Sequence, residues 1–155
     1  MGVSLLRQRG RPVNHFRRFR ARLEALARMV RPREAGDYLS RGLDRHLHGD
    51  LAGAIADYDQ AIARYTDSVS QAVAYLTRGN ARKDQGDLAG AIADYDRAIA
   101  CHPSYAAAYL SRGLAHRQAG DLERARADFR LVPELTSDRR WRQQAAEELR
   151  AIAEE

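Results

Sequence analysis

At 155 residues the chain has room for one compact domain or one short repeat array, and a hydrophobic content of 45% is that of a folded protein rather than a disordered one. A single cysteine, Cys101, excludes an intramolecular disulfide and any paired-cysteine metal motif, and no apolar run approaches the ~20 residues that span a bilayer. The net charge of +5 is unevenly placed: residues 1–34 hold ten arginines and two glutamates, a net +8, and the remainder carries −3.

The N-terminus reads as a basic tail, with Arg7, Arg9 and Arg11 and no apolar periodicity. Val3–Leu6 is too short for a secretory hydrophobic region, and Leu6 breaks the N-myristoylation pattern that Gly2 begins. Pro12 and Pro32 then bracket a predicted helix with Asn14 as its N-cap. Phe16, Phe19, Leu23, Leu26 and Val30 recur at three and four residues, sharing one arc of about 100°. Arg17, Arg18, Arg20, Arg22, Arg28 and Arg31 fill the rest of the circumference. This amphipathic segment, within domain 1–34, is expected to lay its stripe on the first repeat or its groove. Its arginines would then face an acidic protein, an anionic membrane surface or nucleic acid. The Arg-rich, acid-poor composition also resembles a mitochondrial transit peptide.

From residue 35 the chain repeats itself. Gly49–Ala63 returns as Gly86–Ala100 with one change, Gln60 to Arg97, and a looser third copy begins at Gly120-Asp121-Leu122. The period is 37 residues and then 34, with the extra three falling near Arg64–Gln71. Each glycine suits the left-handed residue that closes one helix, and the following aspartate suits the N-cap of the next. Leu51, Ala54, Ile55, Tyr58, Ala61 and Ile62 then form an apolar stripe at helical spacing. Each unit is predicted as a helix, a tight Gly-Asp turn and a second, amphipathic helix. The boundaries are 35–68, 72–105 and 106–136. The longer connection is expected to loosen contact between the first two units, and Pro133 to stop the last repeat helix early. A final helix in 137–155, capped by Ser137 or Asp138, sets Trp141, Ala145, Leu149 and Ile152 on one side and a highly charged face on the other. It reads as the cap that shields the end of the array.

Tyr75-x2-Arg78-Gly79-x2-Arg82, then Ala91-x3-Tyr95, Ala98 and Pro103, resembles a tetratricopeptide repeat. Tyr38, Gly42, Ala54, Tyr58 and Ala61 match in the first unit, and Tyr109, Gly113, Ala125 and Phe129 in the third. Two departures recur: Arg41, Arg78 and Arg112 replace the usual leucine, and Arg45, Arg82 and His116 the usual aromatic residue. The resemblance implies an all-α solenoid of three helical hairpins, flanked here by the N-terminal helix and the C-terminal cap. It also implies that Gly42, Gly79 and Gly113 face Ala54, Ala91 and Ala125 across each hairpin.

The function implied is protein–protein interaction, with a partner segment held on the concave face lined by first helices. By resemblance that groove comprises Leu39, Leu43, His46 and Leu47 in repeat one, Leu76, Asn80, Lys83 and Asp84 in repeat two, and Leu110, Leu114, Arg117 and Gln118 in repeat three. The carboxylate clamp by which some family members hold chaperone tails needs lysines, asparagines and arginine where this chain has Leu39, Leu43, Thr77, Ala107 and Ser111. A leucine-lined groove suits an apolar segment such as an amphipathic helix instead. The rival reading is a membrane- or nucleic-acid-associated factor recruited through the arginine-rich segment.

Catalytic and metal chemistry find little support. His46 and His48 lie two apart on a predicted helix and point to different faces, and neither they nor His15, His102 and His116 offer four convergent ligands. Cys101 has no basic partner fixed beside it by spacing and reads as a packing residue. The aspartate pairs Asp57/Asp59 and Asp94/Asp96 invite a catalytic reading, but Arg41, Arg78 and Arg112 each stand 16 residues before Asp57, Asp94 and Asp128. An ion pair within each hairpin accounts for both. The chain thus reads as a cytoplasmic interaction module rather than an enzyme, with no metal and no cofactor.

Overall fold

The computed structural model describes residues 34–154, which fold as helices with no strand among them. Three hairpins follow in order: α1 (Ala35–Leu47) with α2 (Leu51–Arg64), α3 (Ser68–Asp84) with α4 (Leu88–Cys101), and α5 (Ala106–Gln118) with α6 (Leu122–Leu135). The last helix, α7 (Arg139–Glu154), packs on α6 and α5. Each helix packs chiefly on its chain neighbours, and the first helices α1, α3, α5 and α7 also touch in succession. The basic tail and the amphipathic helix expected before residue 34 lie outside the described residues.

The Gly-Asp turns form as the repeated sequence requires. Gly49, Gly86 and Gly120 take φ of 81°, 91° and 82°, a left-handed conformation that costs glycine little. The amides of Gly49 and Asp50 reach back to the carbonyls of His46 and Arg45, closing the end of α1, and the other two turns repeat this pattern. The carboxylates of Asp50, Asp87 and Asp121 then accept from the amides of Gly53, Gly90 and Arg124, capping the second helices.

The longer connection does not loosen repeats one and two, which pack as closely as repeats two and three. The inserted residues are absorbed into helix: α3 has 17 residues where α1 and α5 have 13. Asp67 caps this added turn by accepting from the amide of Ser70 at 2.7 Å, and the Gln71 side-chain amide donates to the carbonyl of Tyr65. Pro133 likewise does not shorten α6, which has 14 residues like α2 and α4. It stands in the final turn, and the helix ends two residues later. Asp138 rather than Ser137 caps α7, accepting from the amide of Arg140 at 2.8 Å.

The core is a row of clusters, one per hairpin. Tyr58, Tyr95 and Phe129 are fully buried, ringed by Ala54, Ala61, Ala91, Ala98 and Ala125. The helix-one glycines lie against these rings. A methyl group at Gly42, Gly79 or Gly113 would come within 2.6 Å of the ring of Tyr58, Tyr95 or Phe129. At Gly79 the backbone carbonyl of Ala91, at 3.2 Å, is also among the nearest atoms. The aromatic ring fills the crossing, and glycine gives it room. Ala145 and Ile152 of α7, with Trp141 and Leu149 at their edge, extend the last cluster around Leu110, Phe129 and Val132.

Candidate partner-binding face

The site is framed by a ladder of charge running between the two helices of every hairpin. Arg41 donates to Asp57 through two nitrogens, with Nε 2.7 Å from Oδ2. Arg78 holds Asp94 at 2.9 and 2.5 Å, and Arg112 holds Asp128 at 2.9 and 2.6 Å. The pairs expected from the 16-residue spacing therefore form in all three repeats. The three aspartates are buried, and each arginine also lies over the ring of Tyr38, Tyr75 or Tyr109. A planar guanidinium can fork onto the carboxylate and stack on an aromatic ring at once, which a lysine cannot. Hydrogen bonding to Arg41, opposed by burial, holds the Asp57 carboxyl below its ordinary range. Burial acts to lower the Arg78 pKa, but its bonds to Asp94 and Asp59 outweigh this and raise it.

Two further rungs escape sequence spacing. Arg45 and Arg82 add a second guanidinium to Asp57 and Asp94 at 3.0 and 2.9 Å. Asp59 and Asp96 reach forward to the next repeat, meeting Arg78 at 2.5 Å and Arg112 at 2.6 Å. The two departures from the motif thus act together. The forward contact has a separation of 19 residues in one case and 16 in the other, because of the insertion, so no fixed period marks it. The aspartates Asp57, Asp59, Asp94 and Asp96, whose pairing invites a catalytic reading, are all engaged in this ladder.

On the face of the first helices, the expected groove residues divide into three groups. Leu43 and Leu47 of α1 stand open, 42% and 86% exposed, beside half-buried Leu39. His46 is tied across the repeat boundary to Asp84 at 2.8 Å. In repeat two, Asn80 accepts the hydroxyl of Tyr95 at 2.8 Å. Half-buried Lys83 borders a cavity of about 380 Å3 with Leu114, Arg117, Gln118 and Glu148.

Two leucines depart from the expectation. Leu110 is 1% exposed and Leu76 8%, and both are core residues rather than open groove. Leu110 belongs to the cluster that α7 closes, so the capping helix covers the inner face of repeat three as well as its end. Arg117 is correspondingly held by Glu148 of α7 at 2.7 Å. Leu76 borders an apolar hollow of about 390 Å3 with Ala107, Leu135 and Trp141, so its small exposure faces a depression. Trp141 and Glu148 were not expected on this face. The sequence marks their helix as an outer cap, and the packing of α7 against α5 brings them there. Arg17, Arg18, Arg20 and Arg22 lie outside the described residues.

A family profile, "Tetratricopeptide repeat", matches residues 76–140. With three Gly-Asp hairpins at the expected period, this decides the family. The chain is a tetratricopeptide repeat (TPR) protein. Among solved structures, the first TPR of Spaghetti (RPAP3) bound to the HSP90 peptide SRMEEVD aligns with 28% identity and a TM-score of 0.69, over 78% of this chain and 91% of that one. The second TPR domain of human RPAP3, in complex with the HSP70 peptide SGPTIEEVD, aligns with 28% identity and a TM-score of 0.67, over 77% and 94%. The first TPR domain of human RPAP3 aligns with 27% identity and a TM-score of 0.69, over 77% and 90%. No curated protein matches the sequence. The all-α solenoid of TPR hairpins is therefore shared with domains of which two hold peptides. No helix among the described residues is long and apolar enough to cross a membrane.

Proposed function

We propose that this TPR protein is an interaction module that holds a peptide segment of another protein on the face formed by α1, α3, α5 and α7. The observation that carries this reading is the open apolar edge of α1. Leu43 and Leu47 are large apolar side chains that α1 leaves exposed one turn apart, and leaving Leu47 86% exposed forgoes burial worth about 1.5–3 kcal/mol unless something covers it. Lys83, at the cavity farther along, has no ion-pair partner among the described residues. The preferred occupant is a segment with an apolar side chain for the α1 leucines and a carboxylate for Lys83. The matched RPAP3 domains, with their bound peptides, support a peptide as the class of ligand. The TPR family match and the peptide-bound TPR domains favour an interaction scaffold over a catalyst.

The partner differs from a chaperone tail in this reading. Leu39, Leu43, Thr77, Ala107 and Ser111 stand where a carboxylate clamp would need cations and amides, so SRMEEVD should bind weakly or not at all. A peptide-display selection on the full chain, with counter-selection on a Leu43→Asp/Leu47→Asp/Lys83→Glu variant, tests the proposal. Sequences that combine apolar and acidic residues, and lose at least tenfold in affinity for the variant, would support it. Failure to recover any peptide that distinguishes the two proteins would reject it. Residues 1–34, at net +8, supply the second reading. Binding to anionic vesicles or nucleic acid that falls steeply with salt and disappears without those residues would support recruitment by charge.

A further inference from the structure

Repeat three departs from its neighbours at one rung of the charge ladder. In repeats one and two the second arginine, Arg45 or Arg82, donates to Asp57 or Asp94 and also to the carbonyl of Gly53 or Gly90, at 3.2 and 3.5 Å. The equivalent residue in repeat three is His116. It is buried, and its imidazole makes no hydrogen bond or ion pair to Asp128 among the described residues. Everything else around the rung is retained: Asp128 is buried, Arg112 forks onto it, and Asp96 reaches forward to Arg112. What remains beside His116 is a cavity of about 310 Å3 bordered by Asp96, Arg112, Arg124 and Asp128, with Ile92 on its apolar side.

We infer that this cavity is a binding site for a guanidinium group, the head of an arginine side chain, taking the place that Arg45 and Arg82 occupy in the other repeats. The site lies between α5 and the second helices α4 and α6, so it does not depend on the peptide-binding reading above. Its chemistry is set by a balance of charge. Repeat two meets Asp94 and Asp59 with two guanidinium groups, Arg78 and Arg82, whereas repeat three meets Asp128 and Asp96 with Arg112 alone. Arg124, the other cation on the rim, is exposed and turned to Asp121 at 3.4 Å. A buried carboxylate with an open side favours a cation. The planar fork of a guanidinium suits the carboxylate and neighbouring carbonyl that Arg45 and Arg82 bridge, whereas an ammonium offers only a point charge.

The test is an NMR titration of the full chain with methylguanidinium, and in parallel with N-acetyl-arginine-amide. Methylammonium at matched ionic strength is the control. The site predicts saturable shifts at millimolar concentration, centred on His116, Asp128 and Arg112 and absent around Arg45 and Arg82. Saturation by both ligands would admit a protein-borne arginine, whereas saturation by methylguanidinium alone would restrict the site to small guanidinium compounds. His116→Arg should fill the cavity and abolish the response. Arg45→His should transplant it, adding a second set of saturable shifts in repeat one. Equal shifts with methylammonium, no saturation, or no new response in Arg45→His would overturn the inference.

Discussion

Repeats one and two carry nearly the same second helix, yet the same tyrosine meets different surroundings. Both Tyr58 and Tyr95 are fully buried. Tyr95 donates its hydroxyl to Asn80, while the Tyr58 hydroxyl is a buried polar group with no partner among the described residues. The difference lies on the facing helix, where repeat one has Leu43 at the position of Asn80. Burial, with the nearby Asp57 charge, pushes the Tyr58 pKa up to about 12. The exchange leaves repeat one less well satisfied inside and more apolar outside, since Leu43 is one of the two open leucines. An unmet hydroxyl and an exposed leucine are two consequences of one substitution. Locally identical sequence therefore does not give locally identical energetics, because the second helix is completed by residues of the first.

The ladder should show the largest contrast. Asp94→Ala strips the buried carboxylate shared by Arg78 and Arg82, whose side chains are 16% and 27% exposed, leaving Arg78 only the exposed Asp59, and should cost about 3 kcal/mol. Asp57→Ala should cost clearly less, because Arg41 and Arg45 are 33% and 38% exposed and can rehydrate. Urea unfolding of the two variants measures the gap, and equal losses would show that burial of the arginines does not set the cost.

Gly79→Leu should come next, at about 1–3 kcal/mol, because a side chain there collides with the Tyr95 ring and with the backbone of α4. At Gly42 the three nearest atoms are all of the Tyr58 ring, whose side chain can shift, so Gly42→Leu should be milder. Thermal unfolding of both variants tests whether that backbone contact matters.

Removing one oxygen probes the tyrosines directly. Tyr95→Phe should cost about 1 kcal/mol and leave Asn80 unpaired, whereas Tyr58→Phe should be neutral or slightly stabilising. Leu43→Asn should stabilise Tyr58 while removing an apolar side chain from the proposed partner face. If both Tyr→Phe changes prove equally costly, the contrast between the repeats fails.

The smallest effect is one of pH. Because the folded Asp57 pKa lies below its unfolded value, its stabilising contribution is full above the unfolded value near ~3.9 and is lost as pH falls through the folded value. Asp57→Asn should therefore be less stable at neutral pH but lose less stability on acidification below about pH 4. A steeper acid loss in the variant would contradict the assignment.

Sequence alone determined the repeat, its Gly-Asp turns and its hairpin ion pairs. Each rests on short-range chemistry: a left-handed glycine, an aspartate cap, and an arginine at constant distance from an aspartate. Only the tertiary structure decided how the insertion was taken up, since connection length does not say whether extra residues loop out or extend a helix. It alone linked Asp59 to Arg78 across a boundary that the insertion had put out of period. It also moved Leu110 from the groove to the core, because the sequence marks which face of α7 is apolar but not what that face covers. What the face covers is fixed by the crossing of α7 with α5 and α6, a packing of helices distant in sequence. The unfilled rung at His116 became legible in the same way, as a cavity whose counterparts in the first two repeats hold an arginine.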